Sequence, residues 1–118
     1  MLVFDSSALF AYLQNEDGAD MVSDLLDDAD VPKYAHAVNL CEVFYGFAQR
    51  AGETVAYDAL NTLRAAGIEE RNDMDANFWQ DAGKIVATQR GNGHGIALGD
   101  AFCVALARRL SARHRSGR

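Results

Sequence analysis

Short apolar runs alternate with helix-patterned stretches along the whole of the 118 residues, and this alternation constrains the fold more than any other feature. Met1 to Phe4 is a brief apolar run of the kind a buried strand uses, and Ser6 or Ser7 then offers an N-cap for a helix through Leu13. Gly18 to Asp28 sets Met21, Val22, Leu25 and Leu26 at helical spacing, with Asp20, Asp24, Asp27 and Asp28 solvated on the opposite face. The only proline, Pro32, introduces a second strand over Lys33 to Val38, after which Asn39 caps a long helix to about Arg50. Gly52 breaks the chain before a helix over Thr54 to Ala66, whose stripe is Val55, Ala56, Ala59, Leu60 and Leu63, and Gly67 stops it. Ile68 to Arg71 is a weak third strand. Asp73 or Asp75 caps the next helix, which carries Phe78, Ala82, Ile85, Val86 and Gln89 on one side. Three glycines in Gly91-Asn92-Gly93-His94-Gly95 predict a mobile loop, and a last helix from near Gly99 turns Phe102, Val104, Ala105, Leu106 and Leu110 inward. This order implies an α/β fold, a parallel sheet with helices on both faces.

The length suits one domain, expected over residues 1–112, with 113–118 as a basic, disordered tail. Asp5 interrupts the apolar start, no basic leader or small-residue cleavage site surrounds it, and no run approaches a membrane span. The reading is therefore a cytoplasmic protein. Cys41 and Cys103 lack the spacing of a zinc site and read as buried small hydrophobes on helices. The net charge of −6 argues against a nucleic-acid partner until its distribution is considered. Arg108, Arg109, Arg113, Arg115 and Arg118 crowd the last eleven positions, while everything before them holds six basic residues against seventeen acidic ones. Such an end can touch phosphates or simply be solvated.

Three acids, Asp5, Glu42 and Asp100, sit where an extended run gives way to a helix. In a parallel α/β sheet the carboxyl ends of strands and the amino ends of the following helices share one edge, where ligands gather. Carboxylates from three segments would meet there. Two unit charges about 4 Å apart repel by roughly 4 kcal/mol at an effective dielectric of about 20, so the cluster asks for a cation. A hard divalent ion, Mg²⁺ or Mn²⁺, prefers such oxygen ligands and can activate water and stabilise a leaving oxygen in phosphodiester hydrolysis. Each acid also has a structural alternative: Asp5 and Asp100 suit helix starts, and Asn39 with Glu42 has the spacing of a capping box. Other chemistries have less support. Ser6 and Ser7 lack a histidine and acid partner, His36, His94 and His114 lack ligand spacing, and the glycine-rich loop lacks the lysine of a phosphate-binding loop. Phe44, Tyr45, Phe47, Phe78 and Trp79 could stack on bases, although core packing suits most of them.

The segments Val3-Phe4-Asp5-Ser6-Ser7-Ala8-Leu9, Asn39-Leu40-Cys41-Glu42-Val43-Phe44-Tyr45-Gly46 and Leu98-Gly99-Asp100-Ala101 resemble, in order and approximate spacing, those of PIN-domain ribonucleases, in particular VapC-type bacterial toxins. The resemblance implies a three-layer α/β/α fold with a central parallel sheet, and acids that hold Mg²⁺ or Mn²⁺ and cut RNA. Asp5 and Asp100 would be direct or near-direct ligands, Glu42 would bind through water or position the attacking water, and Ser6 or Ser7 would orient Asp5. It also implies a cognate antitoxin partner and a homodimer. Family members continue beyond the helix of Asp100 into further strands and a Thr-x-Asp type motif. Here no acid follows Asp100, so the final strands are expected to be missing and the edge of Met1 to Phe4 exposed. The leading expectation is a metal-dependent endoribonuclease of a toxin–antitoxin pair. The alternative is a truncated, impaired PIN module that binds an antitoxin or a sibling toxin.

Overall fold

The computed structural model describes residues 1–15 and 18–115, the last two as backbone only. Its elements run β1 (Leu2–Val3), α1 (Ser6–Gln14), α2 (Ala19–Leu26), β2 (Lys33–His36), α3 (Ala37–Ala51), α4 (Glu53–Ala65), β3 (Ile68–Arg71), α5 (Ala76–Gly91) and α6 (Leu98–Arg115). The strands form one parallel sheet in the order β1-β2-β3, with Val3 opposite Tyr34 and His36 opposite Arg71. No fourth strand occurs among the described residues. β1 is thus an edge strand, as expected, yet Leu2 and Val3 are half-buried, packed on opposite faces of the sheet.

Side chains alternate across the sheet and divide the apolar interior in two. Leu2, Phe4, Ala35 and Ile68 join Leu9, Val22, Leu26, Val43 and Leu63 in one core beneath α1 to α4. Val3 and Tyr34 pack instead on the second core, Phe78, Ala82, Ile85, Ala101, Phe102, Ala105 and Leu106 from α5 and α6. The result is three layers, helices on both faces of a parallel sheet. Each fully buried Leu or Phe contributes about 1.5–3 kcal/mol of transfer free energy, so both faces are strongly specified. His36 belongs to the second interior as well. It is fully buried and lies against both Phe78 and Phe102 at centroid distances of 5.1 and 5.2 Å, the two phenyl rings being 5.7 Å from each other. Its Nε2 lies 2.8 Å from the Asp73 carbonyl, and its Nδ1 accepts the Val38 amide at 3.0 Å.

Several boundaries differ from expectation for physical reasons. α1 is capped by Asp5, whose Oδ1 accepts the Ala8 amide, and not by Ser6 or Ser7. β2 ends at His36 rather than Val38, since the imidazole itself caps α3, and Asn39 is buried inside the first turn. α2 buries Ala19, Val22 and Leu26 but leaves Met21 and Leu25 exposed, along with its acids. Asp75, one of two expected caps, holds the start of α5 through the Phe78 amide. Cys41 is exposed, contrary to its reading as a buried hydrophobe, whereas Cys103 is half-buried. The expected basic tail overlaps the last turn of α6 over 113–115, and 116–118 lie outside the described residues.

Two further contacts set where the helices sit. Gly46 lets the Phe10 ring approach α3 closely: a Cβ there would stand 2.7 Å from Phe10 Cζ. On the other face Arg109 of α6 forks onto Asp75 at 2.6 and 2.8 Å, reaches Asp73 at 3.0 Å, and covers the Phe78 ring at 5.1 Å. Arg71, at the end of β3, grips the same Asp73 at 2.9 and 3.1 Å. These pairs tie α6 to the loop before α5.

Candidate active site

Asp5, Glu42 and Asp100 reach one edge of the sheet by three local routes. Asp5 follows β1 and is aimed by the Ala8 amide at 2.8 Å, a role the family resemblance had implied for Ser6 or Ser7. Glu42 lies one turn beyond Asn39 on α3, a helix that packs against both α1 and α6. Asp100 is the third residue of α6, where the unpaired amides of a helix start favour a carboxylate. All three are half-buried, protected from bulk water but open to a ligand.

Their electrostatics reveal the proximity. Glu42 holds its proton more tightly than an ordinary glutamate: burial is the largest cause, the Asp100 charge follows, the Asn39 hydrogen bond opposes, and the Asp5 charge adds. The charges that raise its proton affinity, Asp100 and Asp5, are both acids. Cys103 reports the same field from the other side. One turn beyond Asp100, its thiol lies 3.8 Å from the Val3 carbonyl and is pushed up to about 11 by burial, then by Asp5 and Asp100. Sequence reading missed Cys103, although its spacing of three from Asp100 on one helix was the available signal.

The packing around Glu42 is close. A Cβ on Gly99 would collide with the Glu42 carboxylate and stand 3.3 Å from Asn39 Nδ2. That nitrogen donates to the Gly99 carbonyl at 3.1 Å and to Glu42 Oε1 at 3.4 Å. Among the described residues no group donates to the buried Asn39 Oδ1. Among the described residues no three His, Cys, Asp or Glu side chains stand close enough to form a ready-made metal cage. Asp100 and Asp5 thus lie within electrostatic reach of Glu42 without the three closing into a cage.

The other candidates lie elsewhere. His36 is spent on the core and on capping, and His94 is exposed in the loop before α6. Phe78 is buried, whereas Tyr45 and Trp79 are exposed. A cavity of about 480 Å³ opens at the opposite edge, beside Pro32, Lys33 and Glu69 at the start of β2. Buried Lys33 is held there by the Asp28 carbonyl at 2.6 Å, away from the three acids.

The PIN domain family matches residues 2–114, and the chain belongs to that family, whose members are nucleases. No curated protein matches it in sequence. Among solved structures it is similar to the Mycobacterium tuberculosis toxin VapC20, described as cleaving the sarcin-ricin loop, with a TM-score of 0.72 and 15% identity over 94% of this chain and 84% of that one. At that identity the likeness is one of fold.

Proposed function

We propose that this chain is a divalent-metal-dependent endoribonuclease, the toxin of a toxin–antitoxin pair, with Asp5, Glu42 and Asp100 as its metal-binding and catalytic residues. The observation that carries the proposal is the half-buried Glu42 carboxylate, packed against Gly99 beside Asp100 and raised in proton affinity by burial and by the charges of Asp100 and Asp5. Such a donor set fits Mg²⁺ or Mn²⁺: oxygen-only, concentrated in negative charge and half-buried. Asp5 and Asp100 would hold the ion directly. Glu42, whose affinity for a proton is already raised, is suited to receive one from the attacking water. When bound, the metal supplies charge stabilisation at the phosphoryl oxygens and a more acidic water. Asp5 keeps its aim through the Ala8 amide, and the packing of α3 on α1 and α6 would hold the three acids together while they act.

Family membership supports RNA as substrate, and kinship with a toxin fold supports a cognate antitoxin protein, a homodimer and a cytoplasmic setting as parts of the same proposal. No helix among the described residues is long and apolar enough to cross a membrane. The test is cleavage of RNA and of DNA by the purified chain with Mg²⁺ or Mn²⁺, with chelator, and with Asp5→Asn or Asp100→Asn. Cleavage of RNA that stops with chelator and with either substitution is the expected result. Activity indifferent to both substitutions would overturn the site.

A further inference from the structure

We infer that Asn39 is a positioning residue for Glu42, anchoring that carboxylate to the start of α6; this rests on reading the three acids as a metal centre. Asn39 is fully buried, and its one amide nitrogen serves two acceptors, the Gly99 carbonyl and Glu42 Oε1. The Gly99 contact links positions 60 residues apart and sits next to Asp100. The Glu42 contact, at 3.4 Å, is at the long end of hydrogen bonding, and the bare Cα of Gly99 closes the slot from the other side. Glu42 is therefore held between Asn39 and Gly99 through Oε1, leaving Oε2 for the space shared with Asp5 and Asp100.

The amide orientation follows from its partners. Turning it over would set Oδ1 against a carbonyl and a carboxylate, both acceptors. In the orientation that satisfies them, Oδ1 is buried without a donor among the described residues. A residue serving core stability alone does not leave that penalty, because an apolar side chain of similar size would remove it. What the asparagine offers in return is orientation of Glu42. Residues that support a metal ligand in this way change metal affinity or activity by about 10–100-fold when removed.

The experiment is Mn²⁺ binding to the full chain, followed by the paramagnetic resonance of free Mn²⁺, in the parent, Asn39→Ala, Glu42→Gln and the double variant. Asn39→Ala should weaken Mn²⁺ binding about 10-fold in the parent. In the Glu42→Gln background the same change should weaken it less than about 2-fold, because its effect travels through Glu42. Equal losses in both backgrounds, or a folded Asn39→Ala that binds as the parent does, would overturn the role. Circular dichroism checks folding, and Asn39→Ser takes the alanine's place in the cycle if the latter does not fold. A parent chain whose Mn²⁺ binding is absent, or indifferent to Asp5→Asn, would instead overturn the metal reading and this inference with it.

Discussion

Two carboxylate clusters stand on this molecule at turns from strand to helix, and their surroundings are opposite. Asp73 and Asp75, between β3 and α5, are gripped by Arg71 and Arg109. Hydrogen bonding to Arg71 is the main influence holding Asp73 below its usual range, and hydrogen bonding to Arg109 draws Asp75 down to about 2. Among the described residues no such ion pair reaches Asp5, Glu42 or Asp100, and Glu42 moves the other way, toward keeping its proton. One chain thus shows how it neutralises acids meant to stay put. On the proposed reading, the other cluster takes its compensating cation from outside.

One substitution separates the two clusters most sharply. Asp5→Asn keeps a good N-cap for α1, so the fold should survive while RNA cleavage falls by at least about 100-fold, the scale on which transition-state electrostatics are lost. Asp75→Asn also keeps a cap, yet it discards the Arg109 fork, so its melting temperature should drop while metal-dependent cleavage persists. Reversal of that pattern would end the comparison. Next in size is metal-linked stabilisation. Mn²⁺ at a hundred times its Kd should stabilise the parent by about 2.7 kcal/mol in calorimetry, and Asp5→Asn should lose most of that gain. Arg109→Ala should follow, costing roughly 2 kcal/mol in urea denaturation by leaving the nearly buried Asp73 carboxylate short of a donor.

The smallest effect is a difference in sign with pH. For Asp73 and Asp75 the unfolded chain binds protons more readily, so their stabilisation is present above the ordinary value of 3.8 and is lost as pH falls, for Asp75 toward about 2. For Glu42 the folded chain binds the proton more readily, so the metal-free protein should gain stability as pH falls through its raised range toward 4.5. Urea titrations at several pH values should show Glu42→Gln removing the second trend and Arg109→Ala weakening the first.

How far the sequence foretold these clusters depends on the range of the interactions. Ile68 to Arg71 was legible as a strand to the residue because Gly67 and the stripe of α4 bound it locally. The three acids were legible because strand-to-helix order alone assigns them to one edge. Asn39 was misread as a cap: asparagine is a favoured cap, but His36 had already taken that place, and its capping ring is oriented by Phe78 and Phe102 from distant helices. Arg109 looked like part of a solvated basic end for a similar reason. Its partners lie 34 and 36 residues away, beyond what charge spacing along a helix can indicate. Family membership added the nuclease class, which residues alone left open between metal binding and helix capping.

The brevity of β1 carries one more consequence. With only Leu2 and Val3 in the strand, no spare pairing exists to absorb an inserted or deleted residue before the first acid. A single-codon length change there would send Leu2 and Phe4 to the wrong side of the pleat and swing Asp5 away from its companions in the same stroke. Loops such as 92–97 face no such lock. The amino terminus works as a gauge block, and evolution can repaint it more easily than recut it.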